Sequence, residues 1–210
     1  MNLEVRIATL QDEHKLLEWR NDKDSRQNSF SKTVLTENEH KKWLENKLND
    51  VNSKIIIASD QESGHLIGMV RFDIDNNQDF ANISINIDPK WRGKKVSSLV
   101  LDLAIDLFAK DKVLVLAATI GPANIASQRC FERSGFSLYE SGEKKLLYLN
   151  KILIINGIEN VRSNNNVNWM NLMRLAFRVA PREAEEIFNK VNEDDGTISE
   201  LLKKLTKSIN

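Results

Sequence analysis

Residues 83–104 read ISINIDPKWRGKKVSSLVLDLA: a strand, a proline break, a basic loop and a helix in direct succession. Ala81–Ile87 alternates strictly, with Ile83, Ile85 and Ile87 on one face and Asn82, Ser84 and Asn86 on the other. That is the period-two pattern of a half-buried strand. Pro89 ends it, and SLVLDLAIDLFAK is an amphipathic to largely buried helix. A loop feeding straight into a helix N-terminus presents unpaired backbone N–H groups and a partial positive charge. Such a place holds phosphate or pyrophosphate without a dedicated side chain. Arg92, Lys94 and Lys95 add charge around it. On these residues alone the segment reads equally as a phosphate cradle and as an ordinary turn with a solvated basic rim.

Upstream, LEVRIA (3–8) alternates like a strand, and Thr9 with Asp12 has capping-box spacing before a helix that stops near Trp19–Asp22. RNDKDSRQNSF (20–30) is polar and aperiodic. Thr36 with Glu39 opens a second helix, with Trp43, Leu44 and Leu48 on one face. KIIIAS (54–59) and GHLIGMVRFDID (64–75) form a hairpin across a turn at Glu62–Gly64. Downstream come a short strand at Val113–Thr119, a helix IASQRCFERSG closed by Gly135, and last strands at Phe136–Tyr139 and Lys145–Ile155. The order βααβββαβαββ is an α/β plan with a mixed sheet.

After residue 156 the character changes. The Asn-rich segment 157–168 reads as a linker, and 169–210 as a helical appendage. Trp169, Leu172, Met173, Ala176 and Phe177 recur at helical spacing; Pro181 opens a second helix with Ala184, Ile187, Phe188 and Val191; Thr197 with Glu200 caps a third. Helices this short need a neighbour. The expectation is docking to a pathway enzyme or a homodimer through them, with a lid over the main sheet as the plainer reading.

The chain has 210 residues, 30 Lys+Arg against 30 Asp+Glu, and 41% hydrophobic residues. At roughly 100–200 residues per domain this is one domain with an appendage, able to bury a core. Charge balance argues against nucleic acid as a partner. A lone cysteine, Cys130, excludes a disulfide framework and a Cys-based zinc cluster. No metal is expected. The opening MNLEVRIATLQDEHKLLEW has no apolar signal core, and no apolar run approaches the roughly 18 residues of a membrane span. A cytoplasmic protein with no membrane partner is the expectation.

The basic loop resembles the acetyl-CoA pyrophosphate loop of the GNAT N-acetyltransferase superfamily, Arg/Gln-x-x-Gly-x-Gly/Ala, here on Arg92, Lys95 and Ser97. GPANIASQRCFERSGF is similar to the family's second landmark, with Asn124, Ser127, Phe131, Gly135 and Phe136 at its positions. The resemblance covers roughly residues 1–150, with residues 1–156 taken as the acetyltransferase domain. It implies a mixed, mainly antiparallel central sheet flanked by helices, with acetyl-CoA as co-substrate. Its pyrophosphate would lie on Arg92, Gly93, Lys94, Lys95, Val96, Ser97 and Ser98, its pantetheine along Ile85–Asp88 (Ile85 and Ile87 above all), with Asn124 and Ser127 nearby. Lys95 and Ser97 stand where small residues are the rule; glycine there takes positive φ at little cost.

The family's reaction is direct attack of a neutral amine on the thioester, which needs a proton acceptor, an oxyanion donor and a proton for the thiolate. Many relatives carry tyrosine where this chain has Phe131, and glutamate where it has the row Asn82, Ser84, Asn86. Tyr139 and Asp73 are the catalytic candidates, read beside a strand tyrosine and a solvated carboxylate; Asp75, Glu18 and His40 are weaker ones, and a water chain is the alternative. Cys130 reads as core. LLEWRNDKDSRQNSF and TENEHKKWL resemble the branch that acetylates nucleotide-linked amino sugars, as in nonulosonic acid synthesis for bacterial surface glycans, and ribosomal-protein N-termini. By that analogy Arg20, Asn21, Asn28 and Asn86 bind the acceptor, with Arg26 beside them, and a nucleotide-linked amino sugar is favoured over a protein α-amine or a non-catalytic module.

Overall fold

The computed structural model describes residues 2–75, 80–110, 114–180, 182–187, 189–190, 192–193 and 196. In chain order they form β1 (Leu3–Ile7), α1 (Glu13–Asn21), α2 (Lys23–Asn28), α3 (Glu37–Asn49), β2 (Ser53–Asp60), β3 (Leu66–Asp75) and β4 (Phe80–Ile87). There follow α4 (Val96–Ala109), β5 (Val115–Ile120), α5 (Ile125–Arg133), β6 (Ser137–Ser141), β7 (Leu146–Asn150) and α6 (Ile152–Val179). They fall into two compact units, Met1–Gly157 and Ile158–Asn210.

The first unit is built on a seven-stranded sheet of order β1-β2-β3-β4-β5-β7-β6. Every neighbouring pair is antiparallel except β4–β5, as the mixed, mainly antiparallel plan requires. Alternation sends the two rows of each strand to opposite faces. On one face Ile56, Val70, Phe72 and Ile83 meet α4, whose Val96, Val100, Leu101, Ala104, Ile105 and Phe108 are buried. Phe72 stacks on Phe108 with ring centroids 4.2 Å apart. On the other face Ile55 and Ile57 meet Leu16, Trp19 and Leu44 of α1 and α3.

Both N-terminal capping boxes form: Thr9 N–H donates to Asp12 Oδ2 at 2.8 Å, and Glu39 N–H donates to Thr36 Oγ1 at 3.3 Å. The polar stretch 20–30 contains a helix after all, because Asp22 caps α2 by accepting from Ser25 N–H at 2.9 Å.

Two C-terminal readings change. The last strand stops at Asn150, since Asn150 Oδ1 accepts the Ile152 N–H at 2.8 Å and turns the chain into α6. Residues 157–168 are helical, not a linker; asparagine costs a helix only about 0.7 kcal/mol against alanine, and no proline interrupts. α6 ends at Val179, two residues before Pro181, whose predecessor is steered away from helical geometry. Pro181, Phe188, Val191 and the Thr197–Glu200 cap lie outside the described residues.

Candidate active site

The single parallel joint in the sheet is short. Phe80, Ala81 and Asn82 pair with Val115, Leu116 and Ala117, and the ladder goes no further, although β4 stays paired with β3 as far as Ile87. Beyond Asn82 the strands part, leaving β4 backbone groups from Ile83 to Ile87 that turn towards β5 outside any ladder. Gly68 of β3 opposes Ile87 at that end; a Cβ there would sit 2.6 Å from the Asn86 carbonyl oxygen.

Asp88 follows at once and is only 3% exposed. Its Oδ1 accepts from Lys90 N–H at 2.8 Å, starting a short 3-10 turn; its Oδ2 accepts from Trp19 Nε1 at 2.9 Å and pairs with Lys15 Nζ at 2.8 Å. Burial opposes its ionisation, but Lys15, Trp19 and the Lys90 amide outweigh that and hold Asp88 below the usual carboxylate range. It is a fixed anion tying α1 to the end of β4.

Gly93 (φ 74°) and Lys95 (φ 61°, ψ 19°) then take left-handed conformations, and Val96 opens α4 without any side-chain cap. The first-turn N–H groups, those of Val96, Ser97 and Ser98 among them, are therefore open to an anion. Lys95 adopts the backbone shape in which the family's glycine is the rule. Lys94 Nζ lies 4.8 Å over the Trp91 ring. Two left-handed residues, an uncapped helix and two lysines fit a pyrophosphate.

Other residues expected at the co-substrate are engaged elsewhere. The Arg92 guanidinium turns away from α4: Nε donates to Ile87 O at 3.0 Å, Nη2 to Ser25 Oγ at 2.9 Å, and Nη1 pairs with Asp22 Oδ2 at 2.7 Å. Ser97 hydrogen-bonds the buried Cys130 thiol, which burial pushes up above the ordinary value. Asn124 Oδ1 caps α5 by accepting from Ser127 N–H at 3.1 Å. Phe131 packs edge-on against Phe136 in the core, with centroids 4.9 Å apart.

Across the sheet, on the face covered by α1 and α3, is a pocket of about 280 Å³ lined by Leu16, Trp19, Arg20, Ser31, Leu35, His40, Trp43, Met69, Arg71 and Asn86. Asn86 forms its border with the splayed strand and is held rigidly: Nδ2 donates to Trp19 O at 2.9 Å, and Oδ1 accepts from Ser25 Oγ at 3.0 Å. Arg20 Nη2 donates to Ser31 O at 3.0 Å, whereas Nη1 is buried without a partner. Burial, then repulsion from Arg26 and Arg71, lowers the Arg20 pKa. His40, 1% exposed, lies 5.2 Å from Trp43 with the rings tilted by 37° and leaves Nδ1 unpartnered; burial lowers its pKa too, so it is neutral at pH 7. Asn21 stands behind the wall, bracing Leu35 through 2.8 and 2.9 Å bonds to its backbone.

The remaining candidates lie apart from this pocket. Asn28 is exposed on α2, its amide donating to Asp24 O at 2.9 Å. Asp73 pairs with Asn82 at the closed end of the sheet, where Lys47 Nζ and Arg71 Nε each come within 2.7 Å. Burial opposes its ionisation, yet Arg71 and Lys47 hold its pKa below the usual value; it is a counter-ion, not a base. Tyr139 is 68% exposed on the edge strand β6 and lines a different hollow with Leu149 and Ile152. Three strand spacings put β6 about 14 Å or more from β4. Arg71 is the pocket residue that sequence reasoning missed. Its signal was its place in MVRFDID, where alternation puts Met69, Arg71 and Asp73 opposite Asn86, Ser84 and Asn82.

Opening a sheet at one parallel joint, beside an uncapped helix start, is how a CoA-dependent acyltransferase admits a thioester between its strands, and that is the class this fold and site define. The chain belongs to the acetyltransferase (GNAT) domain family, whose profile matches residues 2–137. It is similar in fold to a spermidine N-acetyltransferase from Vibrio cholerae solved with CoA and spermine (TM-score 0.62, 17% identity, covering 70% of this chain and 92% of that one). An aminoglycoside acetyltransferase solved with coenzyme A superposes with a TM-score of 0.58 at 18% identity, over 70% of this chain and 93% of that one. A domain from Methanocaldococcus jannaschii gives 0.61 at 23% identity, over 71% and 97%. At these identities the likeness is one of fold. No curated protein matches by sequence. Among the described residues no helix is long and apolar enough to cross a membrane, and no group of three or more His, Cys, Asp or Glu side chains could hold a metal ion.

Proposed function

We propose that the protein transfers the acetyl group of acetyl-CoA to the amine of a nucleotide-linked amino sugar, as in nonulosonic acid synthesis for bacterial surface glycans, by direct attack of the amine on the thioester. The observation that carries this reading is the parting of β4 from β5 beyond Asn82, with an uncapped α4 on one side and the Asn86 pocket on the other. Acetyl-CoA, when bound, supplies an acyl group already activated as a thioester. The α4 first turn, with Lys94 and Lys95, binds the pyrophosphate. A backbone N–H of Ile85–Ile87 donates to the carbonyl oxygen where negative charge gathers. Asn86 positions α1 and α2 over the splayed strand.

The acceptor amine must shed a proton first. Arg20 and Arg71 disfavour another positive charge beside them, so an ammonium entering their pocket has its pKa depressed. It releases its proton to pocket water without a carboxylate base; as the amide forms and the C–S bond breaks, the CoA thiolate leaves and takes up a proton from the same water. Trp19 and Trp43 offer aromatic walls to a sugar ring or base, and the guanidinium groups suit a diphosphate.

The test is calorimetric titration with acetyl-CoA, then thiol release with UDP- and dTDP-linked amino sugars. Acetyl-CoA binding with turnover on one sugar class supports the reading. Turnover on an N-terminal peptide instead would move the acceptor to a protein α-amine, and failure to bind acetyl-CoA would refute the enzyme reading itself.

A further inference from the structure

Two of the structural relatives named above act on, or were solved with, polycations: spermine and spermidine in one, aminoglycosides in the other. The acceptor pocket of this chain carries the opposite electrostatics. Two guanidinium groups, Arg20 and Arg71, line it, and among the described residues no acid does. Arg71 has a counter-ion in Asp73, 2.7 Å from its Nε, but Asp73 also serves Lys47. Arg20 pairs with no carboxylate among the described residues, and its only neighbours in charge are further arginines. At His40 the opposing acidic group among the described residues is Glu13.

An Arg with a buried, unpartnered Nη1 is costly unless an acceptor atom arrives to meet it. His40 Nδ1 is unpartnered in the same pocket. Arg71 lies over Trp43, its Cζ 5.5 Å from the ring centroid, and its Nε is 2.7 Å from Asp73 Oδ2, so its fork is oriented before any ligand binds. Planar donors in a fixed orientation match carboxylate and phosphate oxygens. At about 280 Å³ the pocket is at the small end of ligand sites, roughly 300–1,000 Å³, so it encloses one charged moiety of the acceptor and leaves the rest of a nucleotide-linked molecule outside.

We propose that Arg20 and Arg71 form an anion subsite inside the acceptor pocket, so that the acceptor is an amine bearing a phosphate or carboxylate and polyamines and aminoglycosides are rejected. This rests on the acetyltransferase reading for the identity of the pocket, and Arg71 becomes a residue that sets specificity.

The test titrates the full chain with UDP, inorganic pyrophosphate, D-glucuronate and spermidine, with and without saturating CoA. CoA occupies the α4 loop and removes that competing anion site. The expected result is binding of at least one anion to the CoA-saturated protein, weakened about tenfold or more in Arg20→Gln and in Arg71→Gln, with CoA affinity unchanged and spermidine not bound. Pyrophosphate or UDP binding assigns the subsite to phosphate, glucuronate binding to carboxylate. Arg20→Lys keeps the charge and retains part of the affinity, which covers a Gln variant whose melting curve shows misfolding. Anion binding indifferent to both arginines, no anion binding, or spermidine binding in the pocket overturns the subsite. Dependence on Arg20 is readable without CoA as well, so failure of CoA to bind counts against the acetyltransferase reading and leaves this one tested by itself.

Discussion

Arg92 Nη1 and Asp22 Oδ2 meet at 2.7 Å, joining the loop before α4 to the cap of α2. Because the same guanidinium also reaches Ser25 Oγ and Ile87 O, it braces the acceptor wall against the splayed strand. Arg92→Ala is therefore expected to lower the melting temperature and raise the acceptor KM more than it weakens CoA. Losing a partly buried charge together with these partners costs about 1–3 kcal/mol. Lysine has no fork to span them, so Arg92→Lys rescues little. A loss confined to CoA affinity would put Arg92 on the pyrophosphate instead.

Gly68 on β3 leaves no room for a side chain against β4. A Cβ there would meet Asn86 O at 2.6 Å and Ile87 Cδ1 at 2.7 Å, and the backbone oxygen cannot move without shifting the strand that lines the cleft. Gly68→Ala is expected to destabilise the fold by about 1–3 kcal/mol and to depress turnover. Unchanged denaturant midpoint and kcat would show that β4 has slack at its open end.

Lys95 is the one residue other than glycine with positive φ among the described residues. Left-handed backbone costs an L-residue roughly 1–2 kcal/mol, partly cancelled by the entropy glycine loses on folding. Lys95→Gly should thus melt no lower than the wild type, yet bind CoA a few-fold more weakly for want of the ammonium. A drop in melting temperature would show that Lys95 makes contacts that outweigh its strain.

Local signals carried most of the fold. Strict alternation gave β4, two capping boxes gave the N-terminal helices, and Asn124 with Gly135 bracketed α5. What alternation cannot report is which strands meet, so the three-pair β4–β5 joint emerges only in the folded sheet. The same limit hid Arg71: its row opposes the Asn86 row only once β3 and β4 are in register. Polar side chains near the co-substrate loop in sequence are engaged elsewhere for a related reason. Arg92, Ser97 and Asn124 are satisfied by residues 67, 33 and 3 positions away, and Tyr139 follows its landmark closely yet sits on the far edge strand.

Tyr139 accordingly has no proton to give at the thioester. It is exposed on β6, separated from β4 by β7 and β5. Tyr139→Phe is expected to keep kcat and KM with an unchanged pH–rate profile. A loss of kcat together with the basic limb of that profile would restore it as the acid.

His40 gives the fold a pH dependence of its own. It faces Glu13, Arg20 and Trp43, and burial, aided by Arg20 and opposed by Glu13, lowers its pKa. Above the ordinary imidazole value near 6.5 the folded and unfolded chains both hold His40 neutral, and it adds no slope. Below that value the unfolded chain takes up the proton first, so stability falls as pH drops towards the lower folded pKa. Asp12, Asp73 and Asp88 are also depressed, but carboxylates titrate near 4 and below, so their losses begin in a separate, more acid window. Denaturant midpoints should therefore decline from about pH 7 to about pH 5 in the wild type. In His40→Gln, which has nothing to protonate there, the decline should be shallower. Parallel curves for the two proteins would mean that His40 charges as easily in the pocket as in the unfolded chain, and that the cationic field inferred from Arg20 and Arg71 is not felt at its ring.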